Sequence, residues 1–345
     1  MNFKKIAIAM TGVALAFGFA ACGGGGGTTS APPAETGAAG YNLQVKDTNG
    51  DGIIQVGFAQ VGAESGWRTA NTQSYQDYFV ESNGFKLTFL DANQDADKQK
   101  QDVRTLISQG VEVIDLAPVT DSGWEPVLQE AKDAGIPLIV SDRQLMVSED
   151  LYLTYFGGDM RAEGDRAVAW LKDYIAKNNI TDPINIVHLQ GTIGSTAQKG
   201  RTAALDEGAP ANGWTIAYQQ TGEFTQAKGQ EVMESFLQQG KDFNVIYSEN
   251  DDMTYGAIDA LKNAGKWDPD KLIVISFDGN KSAVQMVIDG EIDAIAECDP
   301  LLGPQVGDLI KKSMAGETIA KITYSVEGII DSSNAAEKVK TAFGS

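Results

Sequence analysis

Apolar residues fall along the chain in short runs separated by longer stretches of helical period. Residues 53–59, 85–91, 113–117, 137–140 and 152–156 are brief apolar runs bounded by turn-forming residues, which predicts strands buried on both faces. Between them, 67–82, 96–109 and 124–134 predict helices, and Gly84, Gly110 and Gly135 stand where each helix should stop. The pattern then repeats, with strands predicted at 184–189, 214–219, 245–248, 273–277 and 292–297. Helices are predicted at 161–177, 225–239, 253–264 and 282–288. In 225–239 the pairs Val232/Met233 and Phe236/Leu237 lie four apart and define one buried face. Regular alternation of strand and helix implies parallel sheets covered by helices. Ten strands in two sets predict an α/β chain with two doubly wound lobes; one eight-stranded barrel is the alternative.

The N-terminus departs from this pattern. Lys4 and Lys5 precede an apolar stretch over 6–19, shorter than the about 20 apolar residues a spanning helix needs. The layout is that of a secretory signal over 1–21. Phe19-Ala20-Ala21-Cys22 resembles a bacterial lipobox, with Phe19 where Leu is preferred. That resemblance implies a lipidated Cys22 and an extracytoplasmic protein anchored to the cell membrane. From Gly23 to Gly40 the chain is Gly, Thr, Ser, Ala and Pro with a single charge, Glu35, so 22–45 is expected to be a flexible tether.

Charge and cysteine content narrow the chemistry. With 27 basic and 47 acidic residues the net charge is −20, and −22 once Lys4 and Lys5 leave with the signal. So acidic a body lacks the basic footprint of nucleic-acid binding and is not drawn to anionic lipid. Beyond Cys22 there is only Cys298, so no internal disulfide is expected and clustered-thiolate metal sites are excluded. The single histidine, His188, sits in an apolar strand and is expected in the core. No metal and no cofactor are predicted. Asp47-Thr48-Asn49-Gly50-Asp51-Gly52 resembles half a calcium loop, but its twelfth position is Phe58, so it reads as a turn. No Gly-x-Gly-x-x-Gly follows a strand.

Open parallel sheets bind ligands beyond the carboxyl ends of their strands. There the sequence places Gln60, Glu64, Asp91, Asp142-Arg143, Gln190, Glu249-Asn250-Asp251 and Asp278. Helix N-capping accounts for Asp251 and for Asp278. It does not account for Arg143, or for Trp67 and Phe224 close after strand ends. Acid, arginine and aromatic together suit a sugar: charged groups hydrogen-bond hydroxyls, and flat rings cover the C–H face.

The same residues carry a resemblance. Val56-Gly57-Phe58-Ala59-Gln60-Val61-Gly62, Glu64-Ser65-Gly66-Trp67-Arg68, Gly123-Trp124-Glu125-Pro126-Val127-Leu128, Asp142-Arg143, Leu189-Gln190-Gly191-Thr192 and Asn250-Asp251-Asp252-Met253 resemble periplasmic sugar-binding proteins of ABC importers. The resemblance is to the type I, ribose/galactose-binding family, and within it to galactofuranose-binding proteins. It implies two lobes joined by a multi-strand hinge: 53–157 with about 299–325, and about 158–298 with about 326–345. It also implies a monomer that closes on a monosaccharide, a furanose such as galactofuranose or fructose, and presents it to a membrane permease. Carried onto this sequence, Trp67 and Phe224 would pack on the sugar. Glu64, Arg68, Asp142, Arg143, Arg201, Asn250, Asp278 and, near the last hinge strand, Glu297 would bind its polar groups. The alternatives are another small polar solute such as a nucleoside or autoinducer, an extracytoplasmic glycosidase using Glu249 and Asp278, and a transcriptional repressor. The exported N-terminus and the lack of a basic helix-turn-helix argue against a repressor.

Overall fold

The computed structural model describes residues 40–344; the signal, Cys22 and the tether through residue 39 lie outside the described residues. Two six-stranded sheets with helices on both sides make up two lobes. The first contains β1 (Ile54–Gln60), β2 (Phe85–Asp91), β3 (Val113–Leu116), β4 (Leu138–Ser141), β5 (Thr154–Gly157) and, from much later in the chain, β11 (Ile322–Tyr324). Their order is β11-β5-β4-β3-β1-β2, all parallel. Helices α1 (Gly66–Tyr78), α2 (Ala96–Gln109), α3 (Glu125–Asp133) and α9 (Gly303–Met314) belong to this lobe. Every residue of β3 and β4 is buried, as expected for strands covered on both faces. Tyr75 of α1 stacks on Phe58 of β1 at 3.9 Å, locking helix to sheet.

The second sheet contains β6 (Asn185–Gln190), β7 (Thr215–Thr221), β8 (Val245–Ser248), β9 (Ile273–Asp278), β10 (Ala294–Glu297) and β12 (Ile329–Asp331), in the order β12-β10-β9-β8-β6-β7. Around it lie α4 (Met160–Lys177), α5 (Thr196–Ala211), α6 (Gln226–Leu237), α7 (Asp251–Asn263), α8 (Lys281–Ile288) and the short α10 (Ala335–Lys338). The five strands β6 to β10 are parallel, as expected, and β12, which the sequence pattern did not predict, runs antiparallel to β10. The cause is topological. β11 runs toward the other lobe like its neighbours, and residues 325–328 carry the chain straight on, so β12 enters its sheet from the opposite end. The chain passes between the lobes three times, after β5, after β10 and after β11.

Two further sequence expectations need correction. The tether does not extend to residue 45: Val45 is buried with its N–H donating to Ser313 Oγ (3.0 Å), and the Leu138 N–H donates to Tyr41 Oη (3.2 Å). An apolar valine and an aromatic ring gain more by packing than free chain would. The helix-like sequence of 334–343 forms only the short α10, after which the chain docks on its own lobe through a bridge between Phe343 and Asn280. His188 is fully buried, as its apolar strand implied. The Asp47 carboxylate accepts the N–H groups of Gly50 (2.7 Å) and Gly52 (2.8 Å), which makes the 47–52 segment an Asx-type turn. Among the described residues no helix is long and apolar enough to cross a membrane.

Candidate functional site

Both sheets point their carboxyl ends at the space between the lobes, where loops from seven elements converge. Glu64, Ser65, Trp67 and Arg68 come from the start of α1, and Asp142 and Arg143 follow β4. Facing them are Ala197 and Arg201 of α5, Phe224 after β7, Asn250 after β8, Asp278 at the end of β9 and Cys298 after β10. Together they line one cleft between the lobes.

Three of these residues hold left-handed backbone: Asp142 (φ 61°), Phe224 (φ 63°) and Asp278 (φ 96°). Each such residue costs on the order of 1–3 kcal/mol and persists only where its surroundings fix it. Around Asp142 they do so visibly. Its N–H donates to the Phe156 carbonyl (3.0 Å), and the Tyr155 hydroxyl donates to its own carbonyl (2.8 Å).

On the first lobe Arg68 is the hub. Its guanidinium meets Asp142 Oδ2 at 2.6 Å, Glu64 Oε1 at 3.1 Å and Gln60 Oε1 at 3.1 Å, and lies 4.6 Å from the centre of the Trp67 ring. Burial works against the Glu64 carboxylate, but Arg68 and Arg143 outweigh it and hold its pKa below the usual range. Arg143 reaches Glu64 at 3.5 Å and lies 5.3 Å from the Phe224 ring across the gap. Among the described residues Arg143 Nε and Glu64 Oε2 are buried with no hydrogen-bond partner. An unsatisfied donor and an unsatisfied acceptor on adjacent cavity-lining side chains match a pair of hydroxyls, each capable of both roles.

On the second lobe Arg201 is held by Glu163 (2.7 Å) and by the Glu249 carbonyl (2.5 Å), with Asp278 at 3.7 Å. Burial pushes the Asp278 carboxyl well above its ordinary pKa, and Arg201 only partly opposes this. Asn250 caps α7: its Oδ1 accepts from Met253 N, while its Nδ2 donates to the Phe224 carbonyl and keeps one N–H spare. So Asn250 is the cap, where capping had been expected of Asp251. The Asp251 carboxylate is turned inward to Ser276, Gly279 and Asn280.

Glu297 stands apart from the others. It is the register partner of Asp278, yet its carboxylate accepts from Gly328 N (2.9 Å) and Lys338 Nζ (2.7 Å), bracing β10 against the last crossing. The left-handed backbone of Asp278 turns that residue off the strand's course, and Glu297 has no such turn. Glu249, the other acid of the glycosidase alternative, is fully buried against His188 Nε2 (2.9 Å) and Gly191 N (2.7 Å) and does not line the cavity. Sequence reasoning missed Ser65, Ala197 and Cys298. Cys298 follows a strand end and fell under the rule that found its neighbours.

The lobes meet around this space. Gly66 N donates to Asp252 (3.0 Å), Lys199 pairs with Asp121 (2.6 Å), Asp121 N donates to the Gly194 carbonyl (3.1 Å) and Gln144 N to Thr196 Oγ1 (3.0 Å). This closed arrangement decides how the site works: a ligand here is surrounded, and its exit requires the lobes to part. Residues 56–339 match the periplasmic binding protein domain family. The chain belongs to that family. As a periplasmic binding protein it is similar to the galactofuranose-binding protein YtfQ of Escherichia coli, 38% identical over 79% of this chain and 86% of YtfQ. A solved protein of Mycobacterium smegmatis in complex with β-D-fucofuranose is 41% identical, with a TM-score of 0.78 over 82% of this chain and 93% of that one. The binding component of the arabinose ABC transporter of Shewanella sp. ANA-3, bound to L-arabinofuranose, is 37% identical, with a TM-score of 0.77 over 84% and 95%. Family membership places this binding protein outside the cytoplasm.

One glycine of the site is open to test. A Cβ on Gly191 would stand 1.9 Å from Phe224 Cζ, so only glycine lets that ring lie where it does. In Gly191→Ala the ring must move, and ligand affinity should fall at least tenfold with little change in the denaturation midpoint of the unliganded protein. Calorimetry beside urea unfolding reads both; unchanged affinity would mean that the ring's position does not matter.

Proposed function

We propose that this chain is the solute-binding lipoprotein of an ABC importer and that it captures a neutral monosaccharide in its furanose form. The observation that carries the reading is the cleft between the lobes in which Arg68, Asp142 and Arg143 face Arg201 and Asp278, with Trp67 and Phe224 lining the same space. The arginines and acids largely compensate one another, so a ligand with hydroxyls and no net charge completes the set. Sugars bound as furanoses by two of the related structures support the ring form. On this reading Glu64, Asp142, Arg143, Arg201, Asn250 and Asp278 bind hydroxyls, and Trp67 and Phe224 cover the faces of the ring. Arg68 fixes Glu64 and Asp142. The chain binds and releases and catalyses nothing. Signal cleavage and lipidation at Cys22 would hold a monomer at the membrane, close to its permease. Ligand biases the lobes toward closure, and the closed shape is what the permease receives.

The test is calorimetry and thermal shift against a panel of aldoses, ketoses, a nucleoside and an autoinducer, with small-angle scattering on any hit. A furanose-forming sugar at 100 times its dissociation constant should stabilise the protein by about 2.7 kcal/mol and reduce its radius of gyration. Asp142→Ala should weaken that binding at least a hundredfold. Response to the nucleoside or autoinducer alone would replace the sugar reading, and binding without compaction would remove the closure mechanism.

A further inference from the structure

The three crossings between the lobes each deliver one potential metal ligand to a single buried spot. Glu163 lies just after the first crossing, Cys298 opens the second and Glu327 lies on the third. Their ligand atoms, two carboxylate oxygens and one sulfur, all stand within 4.8 Å of one another. Glu163 is fully buried, and among the described residues its Oε1 has no hydrogen-bond partner. That atom points into the gap: a Cβ on Gly158 would come within 2.5 Å of Glu163 Oε1 and 3.2 Å of both Glu327 oxygens. Gly158 thus leaves open a pocket rimmed by carboxylate oxygen.

We infer that Glu163, Cys298 and Glu327 form a binding site for a zinc-like divalent cation that staples the three hinge segments together. A mixed oxygen and sulfur donor set favours Zn2+ or Co2+ over Ca2+ or Mg2+, which take oxygen alone. Ligand atoms of a tetrahedral zinc stand about 3.5 Å apart, as follows from bonds of about 2.0–2.3 Å, so closing onto the ion needs side-chain shifts of about 1 Å. The carboxylates are already oriented from behind, Glu163 Oε2 by Arg201 (2.7 Å) and Glu327 Oε2 by Arg166 (3.5 Å). Cys298 also borders the ligand cavity, and Arg201 joins Glu163 to the side of Asp278. The two sites therefore share a wall, and the cation shifts the equilibrium between open and closed lobes.

The experiment is a Co2+ titration of the reduced chain carrying Cys22→Ala, which leaves Cys298 as the sole thiol, followed by competition with Zn2+. The site predicts a thiolate-to-cobalt charge-transfer absorption in the near ultraviolet that saturates at one ion per chain and is displaced by Zn2+. Cys298→Ser should abolish the band, and Glu327→Gln, which keeps the thiol and the shape, should weaken Zn2+ binding at least tenfold. Absence of the band would overturn the site, as would Zn2+ binding unaffected by both variants. None of these readouts involves a sugar, so failure here leaves the sugar reading standing.

Discussion

Replacing Arg68 by methionine should destabilise the first lobe by about 3–5 kcal/mol, the range for removing one partner of a buried ion pair, and should abolish ligand binding with it. Arg68 is 2% exposed and sits between Glu64 and Asp142, which are equally hidden. Methionine replaces the volume of the stem and none of the charge. Arg143 would be the nearest remaining cation, at 3.5 Å from Glu64 and 3.7 Å from Asp142, and it cannot satisfy both. The loss should depend on pH with a definite sign. In the native protein the Glu64 pKa lies below its ordinary value, so Glu64 contributes stability above that value and loses it as pH falls through the depressed one. In Arg68→Met that contribution is gone, and the variant's deficit should be larger at pH 7 than at pH 4. Urea midpoints at the two pH values read this directly, and Arg68→Met/Asp142→Asn should recover part of the loss by removing one orphaned charge. Equal deficits at both pH values, with no recovery in the double variant, would show that Arg68 acts through packing alone.

How far the sequence reached depends on the strength of each local signal. The strands buried on both faces were plain because parallel sheets require unbroken apolar runs, and Val245–Ser248 coincides with its predicted bounds; the edge strand Phe85–Asp91 also does, though only Phe85 in it is buried. Three-residue β11 and β12 carry no usable period and were not read at all. Helix α5 was missed for a different reason. It is buried through Ala197, Ala204 and Ala209, with Pro210 and two glycines in its length, so no stripe of large apolar residues announces it. Helix α9 was there to be found, since Val306, Ile310 and Ser313 recur on one face.

At the site, the strand-end rule drew together residues from both halves of the chain without any knowledge of their distances. It could not tell a side chain that turns into the cavity from one that turns into the core. Asp278 and Glu297 are paired residues of adjacent strands, and only the backbone angle at Asp278 separates them. Nor could it show that Asn250 spends one end of its amide on a helix cap and part of the other on Phe224. The glycines at 158 and 191 matter because of what stands opposite each of them, and that partner is set by tertiary packing.

The second large effect lies inside the first sheet. Asp115 in the middle of β3 is fully buried, and among the described residues neither of its oxygens has a well-formed hydrogen bond. Burial pushes its pKa up from 3.8 to about 7, against the weaker pull of the nearby Tyr75 and Ser141 hydroxyls. A carboxyl whose folded pKa is raised binds its proton more tightly in the folded chain, so stability falls as pH rises from about 4 to about 7 and is level beyond. A shift of about three pKa units corresponds to about 4 kcal/mol. Asp115→Asn keeps the shape and cannot ionise. Compared with the native chain, it should gain about 3 kcal/mol of that on going from pH 4.5 to pH 7.5, the rest being lost already below pH 4.5, whatever its effect at the lower pH. Chemical denaturation of both proteins at the two pH values isolates the difference, because every other titrating group cancels. If the two curves ran parallel, Asp115 would have to be ionised and solvated in the folded protein, and the middle of β3 would be wet and charged instead of dry and neutral. The outcome bears on binding as well: Asp142 is near enough to raise the Asp115 carboxyl, so a neutral Asp115 leaves Asp142 to meet Arg68 and Arg143 without a second negative charge close by.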